Sequence, residues 1–332
     1  MKALLYFEAE KLISTSGIGR ALSHQKQALG LMGINYTTDP KDEDYDILHI
    51  NTVGPNSASM IKKARKENKA VIYHAHTTEE DFRNSFILSN QIAPFLKRRL
   101  IDLYSSADLI ITPTPYSKSL IKNYGIDVPI RPISNGIDLT RFEYDEDKVT
   151  AFRKYFSLSP EDKVVFSVGL YFERKGLLDF FEVAKRLPDY KFIWFGFTAK
   201  YLIPKQIREA LKVAPPNVIL PGYVKGPIIE GAFLAGDVFF FPSFEETEGI
   251  VVLEALAGKQ NVVVRDIGVY DEWLFDKKNC YMGNSVSEFV RLISDVINHK
   301  LPSTREAGYK TALSRSIANV GKELKKAYLS VL

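Results

Sequence analysis

Residues 237–255 read DVFFFPSFEETEGIVVLEA. A short apolar run closed by Pro242 and Ser243 has the length and boundaries of a buried strand. A polar loop follows, and from about Gly249 the apolar residues recur with helical spacing over 249–258. This is one strand–loop–helix unit. The same unit recurs on both sides, with runs VVFSVGL (164–170), KFIWFGF (191–197), VILPG (218–222) and VVV (262–264), and helices expected at 176–187, about 204–212, 227–235 and 285–298. Nearer the N-terminus come ALLYF (3–7), DILHI (46–50), AVIYHAH (70–76), LIIT (109–112) and IRPIS (130–134). Amphipathic stretches 19–33, 57–68, 91–106 and 116–124 lie between them. Strands alternating with helices predict an α/β chain with parallel sheets. The pattern runs twice, so two Rossmann-like, doubly wound domains facing a cleft are expected. The polar FEYDEDKV (142–149) reads as the linker. The domains are then 1–141 and 142–313, and a last amphipathic helix at about 314–330 belongs to neither by pattern alone. Ligands of open α/β sheets bind at the carboxyl ends of the strands, so the cleft is the first place to look for a site.

With 332 residues, two domains fit the usual size, and 45% apolar with 25% charged residues excludes a disordered, collagen-like or coiled-coil chain. A lone cysteine, Cys280, cannot form an internal bridge, which suits a reducing compartment. The net charge of +4 is too small to point to nucleic acid. No apolar run approaches the ~18–20 residues that span a bilayer. The opening MKALLYFEAEK meets Glu8 and Glu10 too soon for a signal peptide. A cytoplasmic protein is expected, with any membrane contact peripheral.

Four segments can carry chemistry. In the first, a helix opening at Gly249 and Ile250 presents backbone N–H groups and positive dipole to a phosphate. Glu246 precedes it and Glu254 lies one turn in, so one carboxylate can accept from sugar hydroxyls and the other from a ribose diol. Ordinary capping and solvated charge explain two such glutamates equally well. In the second, Gly169 through Gly176 follows a strand and carries Arg174 and Lys175. These cations can neutralise a diphosphate leaving group, or be solvated. The third is Ser16-Gly17-Ile18-Gly19-Arg20, a loop that can approach a ligand or be a plain tight turn. It is no full dinucleotide fingerprint. In the fourth, His74 and His76 end a strand and are expected on its opposite faces. That splits them as metal ligands, and no third His or Cys is close in sequence. A donor or acceptor for a substrate hydroxyl, or a core histidine, is the better reading.

Together these segments resemble the retaining glycosyltransferases of family 4, which have the GT-B fold. Glu246 to Glu254 is similar to the family's paired-glutamate element, and ISNGIDLTRF (133–142) to its hallmark segment at the end of the N-terminal domain. Gly169 to Gly176 resembles its phosphate loop, and DIGVYDE (266–272) its late loop. The resemblance implies a UDP-sugar donor, UDP-glucose or UDP-galactose, held mostly by the C-terminal domain without a metal or other cofactor. Glu246 would touch the sugar hydroxyls and Glu254 the ribose. Arg174 and Lys175 would face the diphosphate, His76 the sugar carbon under attack, and Gly17 the phosphates or acceptor. The last helix would pack back on the N-terminal domain. Two departures from the family stand out: Leu170 is where an arginine is usual, with Arg174 as the substitute charge, and Thr247-Glu248 replaces the usual Gly-Phe.

The acceptor has its own signal. Residues 60–69 carry Lys62, Lys63, Arg65, Lys66 and Lys69 against Glu67, and residues 84–106 place Lys97-Arg98-Arg99 among nine apolar side chains. Apolar residues beside cations suit an anionic membrane surface, although they also suit a core face with a solvated rim. The wording of 245–257 resembles Gram-positive synthases that add a second sugar to glucosyl-diacylglycerol. The expectation is therefore a hexosyltransferase acting on a membrane glycolipid from the inner face of the cell membrane. The alternatives are a soluble family 4 transferase for a capsule or small-molecule acceptor, a UDP-sugar epimerase, and a sugar-nucleotide-binding regulator.

Overall fold

A computed structural model describes residues 1–8 and 17–332. Ser16, from the first glycine loop, lies outside the described residues. The chain divides into two compact units.

The first unit comprises residues 1–82, 90–138 and 315–332. Its strands are β1 (Lys2–Tyr6), β2 (Asn35–Thr37), β3 (Ile47–Ile50), β4 (Ala70–His74), β5 (Leu109–Thr112) and β6 (Ile130–Pro132), in the order β2-β1-β3-β4-β5-β6. Every pairing is parallel. The central strands are buried on both sides, which explains why they read as unbroken apolar runs. One face is covered by α1 (Gly17–Leu31) and the C-terminal α13 (Ile317–Leu329). The other is covered by α2 (Ser57–Lys66), α4 (Ser89–Tyr104) and α5 (Pro115–Lys122), with a short α3 (Glu79–Phe82) following β4.

The second unit comprises residues 83–89 and 139–314. Its strands are β7 (Val164–Val168), β8 (Lys191–Phe195), β9 (Val218–Gly222), β10 (Val238–Phe241), β11 (Asn261–Arg265) and β12 (Tyr281–Gly283), ordered β12-β11-β10-β7-β8-β9. All are parallel. Its helices are α6 (Glu146–Tyr155), α7 (Leu177–Arg186), α8 (Lys205–Lys212), α9 (Pro227–Ala235), α10 (Ile250–Ala257), α11 (Val286–Ile297) and α12 (Arg305–Ser314). Cys280 is buried in this unit.

The structure departs from the sequence reading in several places. Half of the polar linker is helix: the Asp145 side chain accepts from the Asp147 and Lys148 amides and starts α6 there. Residues 83–89 join the second unit, although the sequence around them belongs to the first. The two basic segments are not uniform open faces. In 60–69, Lys63 pairs with Glu43 at 3.1 Å, the exposed Arg65 with Asp108 at 2.8 Å, and Lys69 sits over the Tyr45 ring, which leaves Lys62 and Lys66 as the exposed cations outside these contacts. In 84–106, Leu100 and Leu103 are core, Lys97 pairs with Glu79 at 3.0 Å, and Arg99 donates to the Gly54 carbonyl. Ile92, Phe95 and Arg98 remain exposed on α4. Among the described residues no helix is long and apolar enough to cross a membrane.

Candidate active site

In the second sheet the chain runs β7, β8, β9, then returns to lay β10 against the other side of β7. This reversal opens a crevice at the carboxyl ends of β7 and β10, where doubly wound sheets take their ligands. The two loops leaving those ends are 169–176 and 242–249. They are the two segments richest in candidate residues.

Both loops are built by close backbone approach. Gly169 donates to the Phe195 carbonyl at 2.9 Å, and Trp194 Nε1 donates to the Gly169 carbonyl at 2.8 Å. A turn at Glu173–Lys175 ends in Gly176, with φ +76°. A Cβ at 176 would fall 2.2 Å from the Pro242 carbonyl oxygen, so only glycine lets the loops touch. The Arg174 carbonyl then accepts from the Phe244 amide at 2.7 Å.

This suture brings three candidate side chains together. Lys175 Nζ donates to Glu246 Oε1, Ser243 Oγ donates to the same oxygen at 2.7 Å, and Arg174 Nη1 lies 3.7 Å away. All three belong to buried or nearly buried residues. Burial works to raise the Glu246 carboxyl, but Lys175, Arg174 and the hydrogen bonds from Lys175 and Ser243 outweigh it. They hold the carboxyl below the ordinary carboxylate value, so it is an anion at neutral pH. Arg174 is tied on two more sides: Nε donates to Ser85 Oγ at 2.8 Å, and Nη1 to the Glu245 carbonyl at 3.0 Å.

Helix α10 begins beside this cluster. Gly249 caps it with φ +84°. The first amides of any helix lack partners within it, which makes Ile250 and its neighbours a seat for an anion. Tyr270, from the 266–272 loop, lies beneath. Its hydroxyl is 3.4 Å from where a Cβ on Gly249 would be, is buried, and has no hydrogen-bond partner among the described residues. Burial, then the Glu246 charge, push this phenol well above its usual pKa, so it keeps its proton. Glu254 is buried one turn along α10, 3.7 Å from Arg141 Nη1. Arg141 also pairs with Glu230 at 3.2 Å.

The other two candidates lie in the first unit. Gly17 opens α1 and is exposed, with no described atom near enough to demand glycine. His76 follows β4, and here one expectation is corrected. Residues two apart along a strand share a face, and the His74 and His76 rings stack at 4.1 Å, with His49 stacked on His74 at 5.4 Å. A side-chain network fixes their tautomers. Asn51 Nδ2 donates to Gln25 Oε1 at 3.0 Å, so Gln25 Nε2 donates to His49 Nε2 at 3.2 Å and His74 Nδ1 at 3.1 Å. His49 therefore carries its proton on Nδ1, bonded to the Tyr328 hydroxyl of α13 at 2.6 Å. His76 Nε2 donates to Asn51 Oδ1 at 3.0 Å, which leaves its Nδ1 as an acceptor. Burial lowers all three histidines, His49 and His76 to about 3. They stack rather than converge, and no group of His, Cys, Asp or Glu among the described residues is arranged to hold a metal ion.

The sequence reading missed Ser85, Ser243 and Tyr270 in the second unit and Gln25 and Asn51 in the first. Ser243 and Tyr270 stood inside quoted motifs, but nothing local marks Ser85 as a partner of Arg174.

Residues 39–141 match the model of Glycosyltransferase Family 4, and residues 149–313 that of Glycosyl transferases group 1. The chain is 50% identical to the processive diacylglycerol alpha-glucosyltransferase of Acholeplasma laidlawii over 100% of its own length and 99% of the relative's. The chain belongs to the family 4 glycosyltransferases. It is 25% identical to the alpha-galactosylglucosyldiacylglycerol synthase of Streptococcus pneumoniae, over 68% of this chain and 61% of that one. Among solved structures, Anabaena HepE in complex with UDP and glucose superposes with a TM-score of 0.81 at 15% identity, covering 99% of this chain and 100% of that one. The sucrose-phosphate synthase of Thermosynechococcus elongatus superposes at 0.82 with 14% identity, covering 99% and 98%. The two parallel six-stranded sheets of this family 4 transferase are those of the GT-B fold.

Proposed function

We propose that this hexosyltransferase moves glucose or galactose from a UDP-sugar to glucosyl-diacylglycerol, with retention, to give a diglycosyl-diacylglycerol. The observation that carries the site is the meeting of Lys175 and Arg174 with Glu246 beside the start of α10, at the crevice between β7 and β10. The full-length likeness to a diacylglycerol alpha-glucosyltransferase supports the acceptor. UDP-glucose is itself an α-glycoside, so an α-product means retention.

The geometry suggests how the steps divide. Without donor, Glu246 balances two buried cations. A diphosphate entering at the α10 terminus brings its own negative charge to Lys175 and Arg174 and frees Glu246 to accept from the sugar hydroxyls. As the glycosidic bond breaks, charge grows on the β-phosphate, where fixed cations and amide dipoles stabilise it without reorganising. The acceptor oxygen approaches on the same face, and its proton passes to the departing phosphate. His76 Nδ1, an acceptor, suits a hydrogen bond from a sugar hydroxyl. Glu254 suits the ribose diol once Arg141 turns to Glu230. No metal enters this scheme, because Lys175 and Arg174 supply the positive charge. Exposed Ile92, Phe95 and Arg98 on α4, with Lys62 and Lys66 on α2, support peripheral contact with the inner face of the cell membrane.

The test is incubation with radiolabelled UDP-glucose or UDP-galactose and vesicles holding glucosyl-diacylglycerol. Label extracted into the lipid phase, absent with Glu246→Ala, is expected. Label only in free hexose or in a water-soluble glycoside overturns the acceptor assignment.

A further inference from the structure

The loop at 83–89 is held to the second unit by more than its Ser85 bond to Arg174. It is pinned to the second unit at three places. Arg174 N donates to the Asn84 carbonyl at 3.1 Å, Arg174 Nε donates to Ser85 Oγ at 2.8 Å, and Ile87 N donates to the Leu202 carbonyl at 3.1 Å. Its own Ser85 amide is closed onto Ser89 Oγ. Two of its residues are left-handed, Asn84 at φ +52° and Leu88 at φ +65°. Asparagine tolerates that region, but a leucine pays for it with strain. The strain does not bury the side chain: Leu88 is 59% exposed. Ile87 beside it is exposed as well, and the loop after β8 adds Phe197, Leu202 and Tyr201, the last 78% exposed. The result is a firmly anchored apolar ridge in water, with its root on the buried Arg174.

We propose that this ridge is the lipid contact of the second unit, seating against the anionic glycerolipid surface that holds the acceptor. The proposal rests on the glycolipid function given above and adds where the acyl region is met. Charge favours a bilayer over a second copy of the chain. Residues 196–205 contain the exposed Lys200 and Lys205, and neither they nor 83–90 contain Asp or Glu, so two ridges would repel each other whereas anionic lipid attracts this face. Residue type agrees: Leu and Ile suit the acyl boundary, Tyr the headgroup level, and Lys stems reach past apolar surface to phosphate. Rigid anchoring lowers the ordering cost of insertion. The root at Arg174 brings the lipid face within one loop of the diphosphate cations.

The experiment compares the parent protein with the double variant Leu88→Asn, Tyr201→Ser and with Val213→Ser, an exposed apolar residue outside the ridge. Each is measured for cosedimentation with phosphatidylglycerol vesicles containing glucosyl-diacylglycerol, for transfer to that glycolipid, for transfer to monomeric octyl glucoside, for UDP affinity and for sedimentation in solution. The expected result for the double variant is vesicle binding and vesicle transfer at least tenfold weaker, with UDP affinity and octyl glucoside transfer within twofold of the parent. Val213→Ser should match the parent throughout. If the parent neither binds vesicles nor labels the lipid, the glycolipid function falls and the ridge assignment with it. If the parent does both and the double variant equals it, the ridge assignment alone is overturned. A double variant that instead splits a parental dimer overturns it in favour of a contact between copies.

Discussion

At the scale of single residues, Lys175 and Tyr270 stand in opposite situations. Lys175 is the main charge balancing a buried carboxylate, so Lys175→Met leaves Glu246 without its nearest cation. The expected cost is at least ~100-fold in kcat, comparable to losing a group that stabilises developing charge, with the fold intact by circular dichroism. Because the parental Glu246 is held below its ordinary value of 4.5, the pair's contribution is complete above that pH and is lost only as pH falls through the lower folded value. Tyr270 has a buried hydroxyl with no hydrogen-bond partner among the described residues. Removing a hydroxyl that bonds to nothing loses no hydrogen bond. Tyr270→Phe should keep its thermal midpoint within ~2 °C of the parent or raise it. A larger fall would show that the hydroxyl holds the fold together.

At the scale of elements, the polar network couples α1, β3, β4 and α13 through Gln25, His49, His74 and Tyr328. Its histidines are neutral in the fold, while in the unfolded chain they take up protons near pH 6.5. Their folded values are depressed, so unfolding binds protons and stability falls as pH drops below about 6.5. The slope is on the order of 1 kcal/mol per histidine per pH unit until the folded values near 3 are reached. Urea unfolding at pH 7.5, 6 and 5 reads this directly, and equal midpoints would sink the buried-neutral assignment. The same pairing of α1 with α13 turns on Gly321, where a Cβ would meet the Ala28 carbonyl at 2.9 Å. Gly321→Val should cost about 1–3 kcal/mol of stability by overpacking, measured by denaturant melts.

At the scale of the whole molecule, much of the fold was legible because long helices and buried parallel strands keep a clear period. The expected helices at 227–235 and 249–258 and the strand at 218–222 fall within a residue or so of the observed ones. The three-residue strands β2 and β12 were missed because so few side chains carry no period. Helix α6 was missed because its charged surface hid a start signal at Asp145. In the site, Glu246 and Lys175 stood out by motif. Their contact depends on the β10-β7 adjacency, which is a property of strand order and is written in no single segment. The same holds for Arg174 and Ser85, whose meeting depends on residues 83–89 belonging to the second unit while the sequence around them belongs to the first.

Strand β1 and helix α13, at opposite ends of the chain, belong to one unit, while residues 139–314 form most of the other. In a tweezers experiment held by the two ends, tension would therefore load the first unit and leave the second as slack cargo until the first gave way. The earliest rip should report β1 peeling from its neighbours or α13 from α1, and UDP should leave its force unchanged if nucleotide is held by the second unit alone.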